Sequence, residues 1–175
     1  MGTLRRFRLL EPLIILVVIV LAFWYLLNTL NTGNPLWFVP FQPEYTPSRI
    51  VVHDYGQSVE LRPGDAGFDQ LAAALNETLS AFKNRDLVPI GIGDETLRAY
   101  YEEGLVVEAF YATEVRFNLP ARFEGINTLL IPVDARHAEN NYVFLGRNRE
   151  FLASALQVES REPLDNALRV LGYLE

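Results

Sequence analysis

An apolar run at residues 9–27, entered through Arg5, Arg6 and Arg8 and left through Trp24 and Tyr25, constrains this chain more than any other feature. Nineteen residues at about 1.5 Å per residue make a helix of roughly 28 Å, close to the ~30 Å hydrocarbon core of a bilayer. The pattern predicts a single transmembrane helix. Glu11 is the one ionisable residue inside the run. It and Pro12 are expected in the first turn, where a carboxylate faces the positive end of the helix dipole and a proline leaves few bonds unmade. Three arginines precede the run and none occurs in the fifteen residues after it, so the positive-inside bias predicts a cytoplasmic N-terminus. Arg5, Arg6, Arg8, Trp24 and Tyr25 are the expected membrane-interface anchors, with lipid as their contact.

A cleaved signal peptide also begins with positive charge and an apolar stretch. Here the run ends in the bulky sequence Phe23-Trp24-Tyr25-Leu26-Leu27, which offers no small-x-small cleavage site, and the chain has no cysteine for a lipid anchor. The expectation is therefore an uncleaved single-pass anchor in the plasma membrane, with an extracytoplasmic C-terminal domain. The helix contains no G-x-x-x-G and no charge in its middle, so it encodes neither close self-dimerisation nor an ion path.

Four regions follow: a basic tail at 1–8, the span at 9–27, a linker at 28–47, and one domain at 48–175. Residues 28–175 carry twelve basic and twenty-one acidic side chains, a net charge of −9. That balance disfavours nucleic acid as a partner and favours solubility or a basic partner. In the linker, Pro35, Pro40, Pro43 and Pro47 predict a stiff, extended path. Trp37, Phe38, Phe41 and Tyr45 are interleaved with them, although a free linker should be polar. These rings are expected either to lie in the membrane interface or on the chain's own domain, or to contact a partner subunit.

In the domain, residues 49–53 and 58–61 flank a turn at Tyr55-Gly56 and read as a hairpin. Asp65 is expected to cap a helix running to about Lys83, with Phe68, Leu71, Leu75, Leu79 and Phe82 on one stripe. A short strand at 87–92 precedes a helix capped by Asp94 and ending before Gly104. Strands are predicted within 105–119, at 128–133 and at 142–145, with a turn at 120–125. Residues 151–158 suit helix or strand, and Pro163 opens a terminal helix. This order predicts an α+β domain with a mostly antiparallel sheet covered by two or three helices, on one face.

No arrangement of residues specifies a reaction. Asp134, His137 and Glu139 share a loop and are metal-ligand types, but their spacing matches no zinc pattern and Arg136 lies among them. His53-Asp54 resembles an oriented base, yet strand neighbours point to opposite faces. Two histidines, and five serines outside any G-x-S-x-G, give little support to a Ser-His-Asp hydrolase. Gly91-Ile92-Gly93 lacks the third glycine and the lysine of a phosphate loop, and Asp94 puts negative charge where the anion would bind. Glu102 and Glu103 are adjacent on a helix and do not converge. Asn76-Glu77-Thr78 fits a glycosylation sequon but falls on a helix. No catalytic, cofactor-binding or metal-binding residue is assigned. The function expected is a non-catalytic accessory or regulatory subunit whose domain binds another protein of a membrane assembly. A small-molecule sensor binding between sheet and helices is the alternative, followed by a metal-dependent enzyme using the Asp134–Glu139 loop.

Overall fold

The computed structural model describes residues 4–39, 44–83, 87–117 and 125–175. The side chains of Arg5, Arg6 and Arg8, all of Phe41, and most of the expected 120–125 turn lie outside the described residues. The chain forms two compact units, the first extending to Val39 and the second containing the α+β domain.

The first unit is built on α1, Leu4–Thr32. Within it, Leu10–Thr32 is long and apolar enough to cross a membrane, with a mean hydropathy of 2.6 and none of its most apolar stretch buried against protein. The helix exceeds the sequence expectation at both ends. Pro12 therefore lies inside the helix rather than in its first turn, and the first turn holds no acidic residue, so Glu11 is not at the dipole's positive end either. Asn28 and Thr32 extend the far end because their side chains bond to backbone within the helix: Asn28 Nδ2 donates to Trp24 O and Thr32 Oγ1 to Asn28 O, both at 2.8 Å. Gly33 at φ 65° then stops the helix in the left-handed conformation that glycine adopts without a Cβ clash. Residues 34–39 make turns rather than the extended path expected from the prolines.

The second unit is a six-stranded, wholly antiparallel sheet with three helices, an α+β fold as the element pattern predicted. Its strands are β1 (Arg49–Asp54), β2 (Gln57–Leu61), β3 (Leu105–Phe110), β4 (Thr128–Asp134), β5 (Tyr142–Arg147) and β6 (Glu150–Gln157), in the order β2-β1-β3-β4-β5-β6. Residues 151–158 are resolved in favour of strand by pairing with β5, Phe144 opposite Ala155 and Gly146 opposite Phe151. The expected strand at 87–92 is reduced to a single bridge, Val88 to Ala155.

Strand alternation gives the sheet two distinct faces. Ile50, Val52, Val107, Ala109, Leu129, Ile131, Val143, Leu145 and Leu156 share the first and are all fully or nearly fully buried. They lie under α2 (Phe68–Thr78) and α4 (Glu162–Val170), which pack together and contribute Phe68, Leu71, Leu75, Leu164 and Leu168. α2 is shorter at both ends than its apolar stripe predicted. Gly67 occupies its N-cap, while Asp65 Oδ2 accepts the Arg62 N–H at 2.7 Å and closes a turn. Beyond Thr78 the chain turns out toward β6, where Phe82 bridges to Val158.

The second face carries α3 (Asp94–Glu103), so helices cover both sides rather than the single side expected. Gly93 takes the N-cap in place of Asp94, which sits in the first turn. Tyr100 joins Val106, Leu130, Phe144 and Ala155 in a small second core, with Ile90, Ile92 and Leu97 packed around it. α3 packs on β1, β2 and β3 and is tied to the β1–β2 turn, and on this face those strands carry the polar side chains of His53, Ser58, Glu60 and Glu108 alongside Val51 and Val106.

Candidate functional site

The β1–β2 turn fixes the site's geometry. Asp54 pairs with Gln57, leaving the two-residue loop Tyr55-Gly56 with φ of 45° and 87°, the left-handed pair of a type I′ hairpin. The Gly56 N–H donates to Tyr101 O and the Tyr55 N–H to Gly104 O, each at 3.0 Å, which ties the turn to the end of α3. The Tyr55 hydroxyl donates to Asp134 Oδ2, and that bond, with burial, raises the phenol above its ordinary range. This anchoring lays the Tyr101 ring over His53, the two stacked with centroids 4.0 Å apart.

His53 is 9% exposed and bonds on both ring nitrogens. Ser58 Oγ, its cross-strand partner, lies 2.9 Å from Nδ1, and Glu108 Oε2 lies 3.4 Å from Nε2. Tyr101 donates to the same Glu108 oxygen at 3.4 Å. Burial and the Glu108 charge push the Tyr101 phenol well above its usual value, so its hydroxyl remains a donor. Both contacts to Glu108 are long, yet the carboxylate is only 6% exposed. Hydroxyl, imidazole and carboxylate stand in line, but Ser58 lies on an exposed edge strand, not at a strand-to-helix elbow, and Tyr101 covers the imidazole. The arrangement buttresses this part of the sheet. Asp54, the partner considered for His53 from sequence, lies on the other face.

Beside this cluster, Arg49 pairs across the sheet with Phe110 and holds its guanidinium 3.9 Å from the ring centroid while binding Glu60 at 3.1 Å. Arg62 takes the other Glu60 oxygen at 2.8 Å, and these guanidinium bonds hold the carboxyl below its usual range. Arg149 approaches the same Phe110 ring from the β5–β6 turn, 5.5 Å from its centroid. In that turn Asn148 and Arg149 have φ of 52° and 72°. Arginine therefore occupies a type I′ position that glycine fills without strain.

The remaining sequence candidates are dispersed. Trp37 packs edge-on against Trp24 with centroids 4.9 Å apart, and Phe38 lies against Trp37 and Tyr25. Tyr45 is held on the domain: its hydroxyl donates to Arg116 O at 2.9 Å and accepts the Arg116 N–H at 3.0 Å, while its ring meets Tyr111 edge-on. In the 134–139 loop, Asp134 is engaged by Tyr55, His137 Nδ1 by the Tyr100 hydroxyl at 2.7 Å, and Glu139 by Asn140. Burial pushes Tyr100 up to about 12, and burial with Arg136 lowers His137, so a protonated phenol faces a neutral imidazole. Among the described residues no three His, Asp or Glu side chains converge to hold a metal ion. An open depression of about 530 Å³ lies between α2 and α4, lined by Gln70, Ala73, Glu77, Asn166 and Val170, on the far side of these helices from the sheet.

Sequence reasoning missed Glu108, Tyr101, Arg49, Phe110 and Arg149. Glu108 did leave a signal, as the lone charge in the otherwise apolar strand Leu-Val-Val-Glu-Ala-Phe. The others are brought together by the β1–β3 register and by a turn some forty residues distant. No family model matches this chain, and no curated protein or solved structure is similar to it.

Proposed function

We propose that this chain is a single-pass protein of the plasma membrane, its N-terminus cytoplasmic and its α+β domain extracytoplasmic. The domain acts without catalysis, as an accessory or regulatory subunit that binds another protein of a membrane assembly. The observation that carries this reading is the group Arg49–Phe110–Arg149, with Arg149 exposed and Arg49 and Phe110 half-buried, on the α3 face of an otherwise acidic domain. Arginine and aromatic side chains are the residues that concentrate energy at protein interfaces, and a guanidinium on a ring is already desolvated on one side. Trp37, Phe38 and Tyr45 all have partners within the chain, which moves the proposed contact surface from the linker to the sheet. The Ser58–His53–Glu108–Tyr101 group, with His53 and Glu108 buried, adjoins that surface on the same face of the sheet.

Extraction of the full-length chain from its own membranes in a mild detergent tests the proposal. The chain is expected to migrate in a particle larger than the same chain in a dissociating detergent, and to bring a second polypeptide with it. Migration as the free chain in both detergents would overturn the reading.

A further inference from the structure

We infer that residues 33–39 form a re-entrant aromatic cap that sits in the interfacial layer of the bilayer at the depth of Trp24, with lipid at the headgroup–acyl boundary as its partner. The inference rests on the membrane-anchor reading and adds a second lipid contact to it.

The segment returns along the helix it leaves. Trp24 lies eight residues before Thr32, about 12 Å back along α1, and Trp37 is in ring contact with it. Whatever depth Trp24 occupies, Trp37 shares. The Tyr25 hydroxyl donates to Pro35 O at 3.0 Å, and the Phe38 ring lies 6.4 Å from that of Tyr25, so the return is pinned at two further points.

The backbone of the segment is arranged for a medium poor in water. Non-helical chain at membrane depth requires its polar groups to be satisfied from within the protein. Asn34 N–H donates to Thr32 Oγ1, Leu36 N–H to Asn34 Oδ1 at 2.8 Å, Trp37 N–H to Asn34 O, and Val39 N–H to Leu36 O at 2.9 Å. Pro35 has no N–H to satisfy.

The side chains make the same point. Leu36 is 58% exposed, Phe38 60% and Val39 44%, and they continue the apolar surface of α1 past the aromatic girdle. No charged residue occurs between Pro12 and Pro43, so the uncharged stretch extends sixteen residues beyond Leu27. An exposed Phe38 ring, a Trp37 ring packed on Trp24 and 8% exposed, exposed aliphatic side chains and internally bonded carbonyls suit an interfacial layer, where amphipathic rings are favoured.

Trp24 and Trp37 are the two tryptophans of the chain, so fluorescence can separate them. Full-length protein is reconstituted in phosphatidylcholine bilayers brominated at a shallow or a deep acyl position. Trp37→Phe reports Trp24, and Trp24→Phe reports Trp37. Both are expected to be quenched, most strongly by the same shallow bromine. Quenching of Trp24 with Trp37 unaffected would overturn the cap and leave the anchor standing, whereas quenching of neither would overturn the anchor itself. Because Trp24→Phe alters the ring contact, a spin label at Val39→Cys in the otherwise cysteine-free chain provides a second reading with both tryptophans intact. Higher accessibility to oxygen than to a water-soluble relaxant is expected there, and the reverse order would contradict the cap.

Discussion

The two faces of the sheet are built from the same strands yet do different work. On the α2–α4 face the sheet and the two helices meet mainly through aliphatic and aromatic side chains, nearly all of them fully buried. On the opposite face the same β1 and β3 strands present His53, Glu108, Arg49 and Phe110, with α3 as the one covering helix among the described residues. A sheet needs one apolar face to fold. The second is free to hold buried polar groups, and buried polar groups add little stability for the desolvation they require. On the proposed function, the first face supplies stability and the second recognition.

Substitutions that remove volume from the first face test this division most strongly. Leu75→Ala, on the inward side of α2, is expected to cost about 2–5 kcal/mol of unfolding free energy, as a cavity in a fully buried site does. Denaturant unfolding of the full-length protein in detergent measures it. On the second face, Glu108→Ala strands His53 and the Tyr101 hydroxyl and should cost about 1–3 kcal/mol. The double replacement His53→Phe with Glu108→Leu should cost less than Glu108→Ala alone, because an apolar pair leaves nothing unpaired. Equal or greater loss in the double variant would mean that the polar cluster contributes to folding, and would break the division.

Arg149→Gly sharpens the comparison from the opposite direction. Relief of a left-handed arginine, partly offset by the freer unfolded chain, predicts a gain of a few tenths to about 1 kcal/mol together with weaker partner binding. A stability gain together with weaker binding is the outcome the proposed recognition role of Arg149 predicts. The smallest effect is at His137. Its folded-state value is lowered, so the unfolded chain binds the extra proton, and the associated stability is present above about pH 6.5 and is lost as pH falls through the lowered value. The wild type should therefore lose more stability than His137→Asn between pH 7.5 and 5. Asparagine tolerates the positive φ of 69° at this position.

The same contrast explains what the sequence disclosed. Hydrophobic periodicity is a one-body signal, and it located α1, the inward residues of α2, the β1–β2 hairpin at Tyr55-Gly56, β4, β5 and the proline that opens α4. Boundaries set by local side-chain bonds were missed. Asn28 and Thr32 lengthen α1, and Asp65 closes a turn instead of capping a helix. The strand character of β6 comes from its pairing with β5, to which no window of its own sequence refers. The polar face was the least legible part, because Glu108, Tyr101 and Arg149 meet His53 and Phe110 only through register and a remote turn. The linker aromatics stood out as unusual, and Trp37, Phe38 and Tyr45 make ring or hydrogen-bond contacts within the chain.

The central claim is that the α3 face, and not the outer surface of α2 and α4, meets the partner. Size analysis of mild-detergent extracts tests it directly when wild type is run beside Arg49→Glu with Arg149→Glu, and beside Ala73→Arg on the outer surface of α2. The account predicts that the double variant falls to the size of the free chain while Ala73→Arg stays in the larger particle. Retention of the double variant in that particle, or release by Ala73→Arg alone, would contradict it.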